Sequence, residues 1–267
     1  MQFIFILCLV FSLSACAGTI TNRYAETTVL SSNPVAKDRM PAEDVEIPVE
    51  VYRTRKQSAP TVVFGHSCSG VHDSRATNML WIQTINSWGY NVVVPDSFSP
   101  RGVNGVCADT KVVSAARRMP DIKATVQWVK TQAWHSGKVG FIGFSHGGTL
   151  GDFVAKGFIT TGVDAVVSYY PYCNTQIPRI KERANVVPQM IHIGTKDEWT
   201  PPKMCEPWRD KPNYEIHIYD GAYHSFDRQV PDRWVNSNTG RHFLQYNHAA
   251  TTQAEARTKE FFERNLR

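Results

Sequence analysis

The chain has 267 residues, 42% hydrophobic and 20% charged, with 29 Lys+Arg against 24 Asp+Glu for a formal charge of +5. These values exclude disordered, collagen-like and coiled-coil chains. The densest basic clusters, Arg117-Arg118 and Lys181 to Arg183, lack the aromatic or zinc-finger pattern of a nucleic-acid binder, so no nucleic-acid partner is expected.

At the N-terminus, Phe3 to Leu13 is an apolar run of 11 residues, well short of the ~20 that a membrane-spanning helix needs. Its length suits the apolar region of an export signal. The following Leu13-Ser14-Ala15-Cys16 resembles the bacterial lipobox, in which the cysteine is lipidated and becomes the mature N-terminus. Residues 1–15 therefore read as a signal peptide, residues 16–45 as a lipidated N-terminus and polar tether, and residues 46–267 as one domain. The expected location is the bacterial periplasm, with a lipid on Cys16 as the membrane attachment. An ordinary cleaved signal would export the chain equally.

Short β-branched runs recur along the domain: Val49–Tyr52, Thr61–Phe64, Asn91–Val94, Val139–Ile142, Ala165–Tyr169, Met190–Ile193 and Tyr214–Tyr219. Several are almost continuously apolar, the pattern of strands buried on both faces. Helical spacing falls between them. Ile122, Val126, Val129 and Ala133 share one face behind Pro120, and Leu150, Phe153, Val154 and Phe158 share another after Ser145. Near the end, Thr252 and Glu255 have the spacing of a capping box for a helix carrying Phe261, Phe262 and Leu266. Residues 226–250, rich in Asn, Asp, Arg and Gly, read as a long surface loop. Alternating strands and helices predict an α/β fold, a mostly parallel central sheet with helices on both faces.

Export changes the meaning of the cysteines. Cys68, Cys107, Cys173 and Cys205 lie in the domain, and four cysteines in an oxidising compartment predict two disulfides with three possible pairings. Cys68–Cys107 and Cys173–Cys205 are favoured, because each pair links loops at the same end of the predicted sheet. No Cys-x-x-Cys or paired-His spacing suggests a metal site.

The informative segment is Val139-Gly-Phe-Ile-Gly-Phe-Ser-His-Gly-Gly148, where a buried strand runs directly into an amphipathic helix. A serine hydroxyl is a weak nucleophile and must stand clear of the backbone, within reach of a base. The sharp strand-to-helix turn achieves this and squeezes the residues two before and two after the serine, which are Gly143 and Gly147 here. The helix N-terminus aims the His146 N–H at an oxyanion formed above Ser145. A second donor is expected from the loop after Thr61–Phe64, from the N–H of Ser67 or Cys68.

Partners for the serine should follow in the order acid, then histidine. Asp197 follows the strand Met190–Ile193, and His224 follows Tyr214–Tyr219, with Glu198 and Asp220 as rival acids. Of the nine histidines, His192 and His217 fall inside strands, His66 and His146 are out of order, and His72, His135, His242 and His248 lack a strand-end context. The assignment is Ser145 as nucleophile, His224 as base and Asp197 as the group that orients it. Phe98, Arg101 and Trp199 lie near predicted strand ends and are candidate substrate contacts.

Val92-Val-Val-Pro95-Asp96, Gly143-Phe-Ser-His-Gly-Gly148, Gly194-Thr-Lys-Asp197 with Pro201, and His224-Ser-Phe226 together resemble the dienelactone hydrolase family of α/β-hydrolases from about Val49 to Leu266. Tyr246-Asn247 and Phe261-Phe262 add to the match. The resemblance implies an α/β-hydrolase fold and a nucleophile, Asp and His triad that maps onto Ser145, Asp197 and His224. It also implies a carboxylate-holding role for Arg228, four residues beyond the histidine. Dienelactone-cleaving members carry a cysteine nucleophile and an oxyanion-loop glutamate, where this sequence has Ser145 and His66-Ser-Cys-Ser. The expected activity is hydrolysis of a small-molecule carboxylic ester through an acyl-enzyme, with no cofactor and no metal. An acyltransferase or peptidase would use the same side chains, whereas an envelope lipoprotein that only binds a ligand would not need them.

Overall fold

The computed structural model describes residues 23–33, 41–174 and 176–267. The predicted signal peptide and Cys16 lie outside these residues. Ten strands are described: β1 (Arg23–Asn33), β2 (Glu43–Arg53), β3 (Ala59–Gly65), β4 (Asn91–Pro95), β5 (His135–Phe144), β6 (Ala165–Tyr169), β7 (Gln189–Gly194), β8 (Tyr214–Tyr219), β9 (Arg233–Ser237) and β10 (Gly240–Leu244). Five α-helices accompany them: α1 (Arg75–Ser87), α2 (Met119–Val129), α3 (His146–Ala155), α4 (Pro178–Lys181) and α5 (His248–Leu266).

Eight strands form the central sheet in the order β1-β2-β4-β3-β5-β6-β7-β8. The run from β4 through β8 is parallel, whereas β1 and β2 join antiparallel. Strand alternation assigns each side chain to a face. Val62, Phe64, Val92, Ile142 and Phe144 pack with Trp81, Ile82 and Ile85 of α1 and with Phe261 and Phe262 of α5. Val63, Val93, Phe141 and Val166 face the other way, onto Ile122 and Val126 of α2 and Leu150 and Val154 of α3. The α/β architecture with helices on both faces is the one expected, and every parallel strand ends its chain direction at the same edge.

Both favoured disulfides form, Cys68–Cys107 and Cys173–Cys205. Other expectations are corrected. Residues 23–33, read as tether, are edge strand β1, which buries Val29 and Ser31. The domain therefore begins well before residue 46. Residues 226–250 hold the β9–β10 hairpin as well as loop. Helix α5 starts at His248, capped by Asn247, whose side chain accepts from the Ala250 N–H, so Thr252 and Glu255 lie inside it and form no capping box. Helix α2 stops at Val129, and Ala133 is not part of it. On α3, Leu150 and Val154 turn to the core, whereas Phe153 is half-buried and lines a cavity with Phe158, which lies past the end of the helix at Ala155.

Candidate active site

The turn from β5 into α3 is built by what cannot fit there. A Cβ on Gly143 would stand 2.1 Å from the Gly147 carbonyl oxygen, and one on Gly147 would stand 2.0 Å from that of Gly65. Without side chains at both positions, α3 starts directly against the end of β3. The chain then turns so tightly that Ser145 takes φ 54° and ψ −112°, with its N–H held by the Tyr169 carbonyl at 2.9 Å. A non-glycine residue adopts that conformation only where its surroundings enforce it.

Asp197 follows β7 and His224 follows β8, so both reach the edge where Ser145 stands. His224 Nε2 is 2.9 Å from Ser145 Oγ, and its Nδ1 is 2.8 Å from Asp197 Oδ2. All three are buried, with Ser145 9% exposed. The carboxylate is fixed by further donors: the N–H groups of Trp199 and Thr200 reach Oδ1 at 3.0 and 2.8 Å, and the Thr200 hydroxyl lies 2.9 Å from Oδ2. Those contacts leave Asp197 one orientation, and Asp197 then sets the plane of the imidazole. The rival acids stand elsewhere, Glu198 exposed and Asp220 accepting from Thr195.

The cavity in front of Ser145 has a volume of about 690 Å³, within the range that takes a small organic ligand. His146, Cys68 and Trp199 line it; Ser67, Arg101 and Arg228 do not. The backbone N–H of His146 begins α3 beside Ser145, and the disulfide to Cys107 anchors the Cys68 loop. Trp199 packs its ring against His224 at 4.8 Å and stacks on His242 at 4.7 Å, so it holds the His224 imidazole as well as forming cavity wall.

Two expected substrate contacts are structural. Arg101 is buried between Glu43 and Asp121, at 2.7 and 2.9 Å, and Phe98 is buried against His66. Four groups at the site carried no sequence signal of their own. Thr200 binds the Asp197 carboxylate through both its N–H and its hydroxyl. Tyr170 packs its ring 4.6 Å from that of His224. The hairpin residues Asn238 and Thr239 line the cavity. Arg118, fully buried, donates to the His66 carbonyl and to His146 Nδ1. Burial first, and the Arg118 charge second, hold the His146 imidazole well below the usual histidine range, so it stays neutral.

The family model of the dienelactone hydrolase family matches residues 47–266. The chain belongs to the dienelactone hydrolase family. Membership makes this chain a carboxylic ester hydrolase of the α/β-hydrolase fold. It is 26% identical over 201 residues to a carboxymethylenebutenolidase of Pseudomonas putida, a match covering 68% of this chain and 81% of that enzyme. An esterase of Pyrococcus furiosus superposes with a TM-score of 0.64 at 14% identity, covering 92% and 94% of the two chains. A dienelactone hydrolase of Anabaena variabilis superposes at 0.59 and 16% identity, over 91% and 99%. At those identities the likeness to solved structures concerns the fold. Within this dienelactone hydrolase family member, Arg228 departs from the carboxylate-holding role expected of it: its guanidinium donates to Thr77 on α1 at 2.9 Å, and the residue does not line the cavity.

Proposed function

We propose that this family member is an exported serine esterase that cleaves a small carboxylic ester through an acyl-enzyme, using Ser145, His224 and Asp197. The hydrogen-bonded chain from Ser145 Oγ through both nitrogens of His224 to Asp197 is the observation that carries this reading. Ser145 Oγ attacks the ester carbonyl carbon while His224 Nε2 takes its proton. The carbonyl oxygen becomes an oxyanion, received by the N–H of His146 and an N–H of the Ser67-Cys68 loop. When the tetrahedral intermediate collapses, the carbon–oxygen bond to the alcohol breaks and His224 returns the proton to the leaving oxygen. Water then repeats the sequence on the acyl-enzyme and releases the acid. Asp197 keeps its charge throughout and stabilises the imidazolium.

Two disulfides support folding in an oxidising compartment. Together with the lipobox-like Leu13-Ser-Ala-Cys16, they favour a periplasmic protein held to the envelope by a lipid on Cys16. Ser145→Ala is expected to reduce p-nitrophenyl acetate turnover by ~10⁴-fold or more, with an unchanged melting curve, and to abolish labelling by a fluorophosphonate. Turnover retained in that variant would remove Ser145 from the mechanism.

A further inference from the structure

The cavity continues well past the reacting atoms. Thr149 and Phe153 of α3 follow Ser145, the residue just before the helix, at four-residue spacing, and all three line the cavity. Phe158, Ile177 and Ile180 line it as well. From Ser145 to Phe153 the helix rises about 12 Å. That is the reach of an acyl chain on the order of eight to ten carbons at ordinary bond lengths.

The walls are preformed. Cys173, shortly before Ile177 and Ile180 in the chain, is tied to Cys205 in the stretch between β7 and β8, and Cys68, on the lining, is tied to Cys107. Lys111, Arg117 and Arg179 are the charged residues among the described lining, and Arg117 is bound to Glu43 at 2.7 Å. Phe153 and Phe158, whose rings meet edge to face at 5.4 Å, present apolar surface to this arm. Such a surface is stabilised by covering it with hydrocarbon.

Resting on the assignment of Ser145 as nucleophile, we infer that this arm is an acyl-chain subsite and that the enzyme selects esters of medium-chain aliphatic acids. The chain is covalently fixed at Ser145 in the acyl-enzyme and extends along α3 past Phe153. Each methylene drawn out of water into the arm contributes up to about fourfold in kcat/KM.

The test is a series of p-nitrophenyl acetate, butyrate, octanoate and dodecanoate with the full-length protein. Specificity, as kcat/KM, is expected to rise at least tenfold from acetate to octanoate. A flat or falling series with acetate still cleaved overturns the subsite and leaves the Ser145 mechanism standing. Cleavage of no ester, with no fluorophosphonate label, overturns both. Ile177→Asp places a carboxylate in the arm and is expected to lower the octanoate-to-acetate ratio at least tenfold. Ile177→Ser is expected to do the same more mildly and carries the test should the first variant fail to fold. A ratio unchanged in a folded variant overturns the assignment.

Discussion

Arg118 donates through Nη1 to Nδ1 of His146 at 2.8 Å, at a point where Arg118 has no exposure to solvent. A guanidinium can only donate, so this nitrogen of His146 accepts. The same Nη1 also reaches the His66 carbonyl at 3.0 Å. One side chain therefore ties the His66 backbone to the His146 imidazole, with the Phe98 ring 5.0 Å from its guanidinium carbon. Arg118→Met nearly conserves volume but leaves both buried acceptors without their donor. The expected outcome is a stability loss of about 2–4 kcal/mol in urea titration. In the folded fraction kcat should fall at least tenfold with KM nearly unchanged, because in the proposed mechanism Arg118 holds the His66 and His146 segments beside the oxyanion donors and does not line the cavity.

The contact between α3 and β3 has a similarly sharp consequence. A methyl group at position 147 would meet the carbonyl oxygens of Gly65 and His66 at 2.0 and 2.7 Å, and both belong to backbone. Gly147→Ala must then push α3 away from the loop that holds Ser67 and Cys68. A destabilisation of about 1–3 kcal/mol is expected, with acetate turnover falling at least tenfold. Near-normal turnover would mean that the loop backbone has no part in catalysis.

Much of the fold and site was legible because physical necessity left few alternatives. Strands buried on both faces must be continuously apolar, and the turn at Ser145 must be flanked by Gly143 and Gly147. Asp197 and His224 were readable because each closely follows a strand that ends at the same edge. What escaped the sequence depends on distant pairing. Strand β1 exposes Thr28, Leu30 and Ser32 and buries Val29 and Ser31, a mixed pattern that registers as a strand only once β2 lies beside it. Its Ser31 hydroxyl ends on Asp121, 90 residues away. Arg117 and Arg118 are adjacent and chemically identical, yet one lines the cavity and binds Glu43, and the other is fully buried against His66 and His146. Arg101 and Arg228 were reasonable substrate contacts by position, and only the placement of Glu43, Asp121 and Thr77 assigns them to the scaffold.

The two disulfides should differ in what their loss does to catalysis. They close sequence separations of 39 and 32 residues, and loop entropy gives each about 4 kcal/mol of stability. Cys68→Ala with Cys107→Ala frees the loop beside Ser145, whereas Cys173→Ala with Cys205→Ala frees a wall farther along the cavity. Similar losses are expected in urea titration. Acetate kcat should drop several-fold in the first variant and stay within twofold in the second. Equal effects on kcat would argue that the Cys68 loop is held by its other contacts alone.

Acid sensitivity has a traceable origin on the far strand of the sheet. His217 on β8 stacks on His192 at 5.6 Å, and burial, followed by the nearby charges of Arg257 and Arg209, lowers its pKa to about 4. The unfolded chain protonates this histidine near ~6.5. Between those values the unfolded state binds the extra proton and the native state does not, so stability falls as pH drops from 6.5 to 4 and is level above that window. His217→Gln removes this contribution together with the smaller influence of His217 on the buried His192, whose pKa is lowered chiefly by burial. The melting temperature of the wild type, compared with that of the variant, is expected to drop by about 2–4 °C across the window. Partial exposure of the ring limits the effect to that size. A difference between the two proteins that stays constant from pH 7 to pH 4 would show that His217 gains its proton equally well in both states.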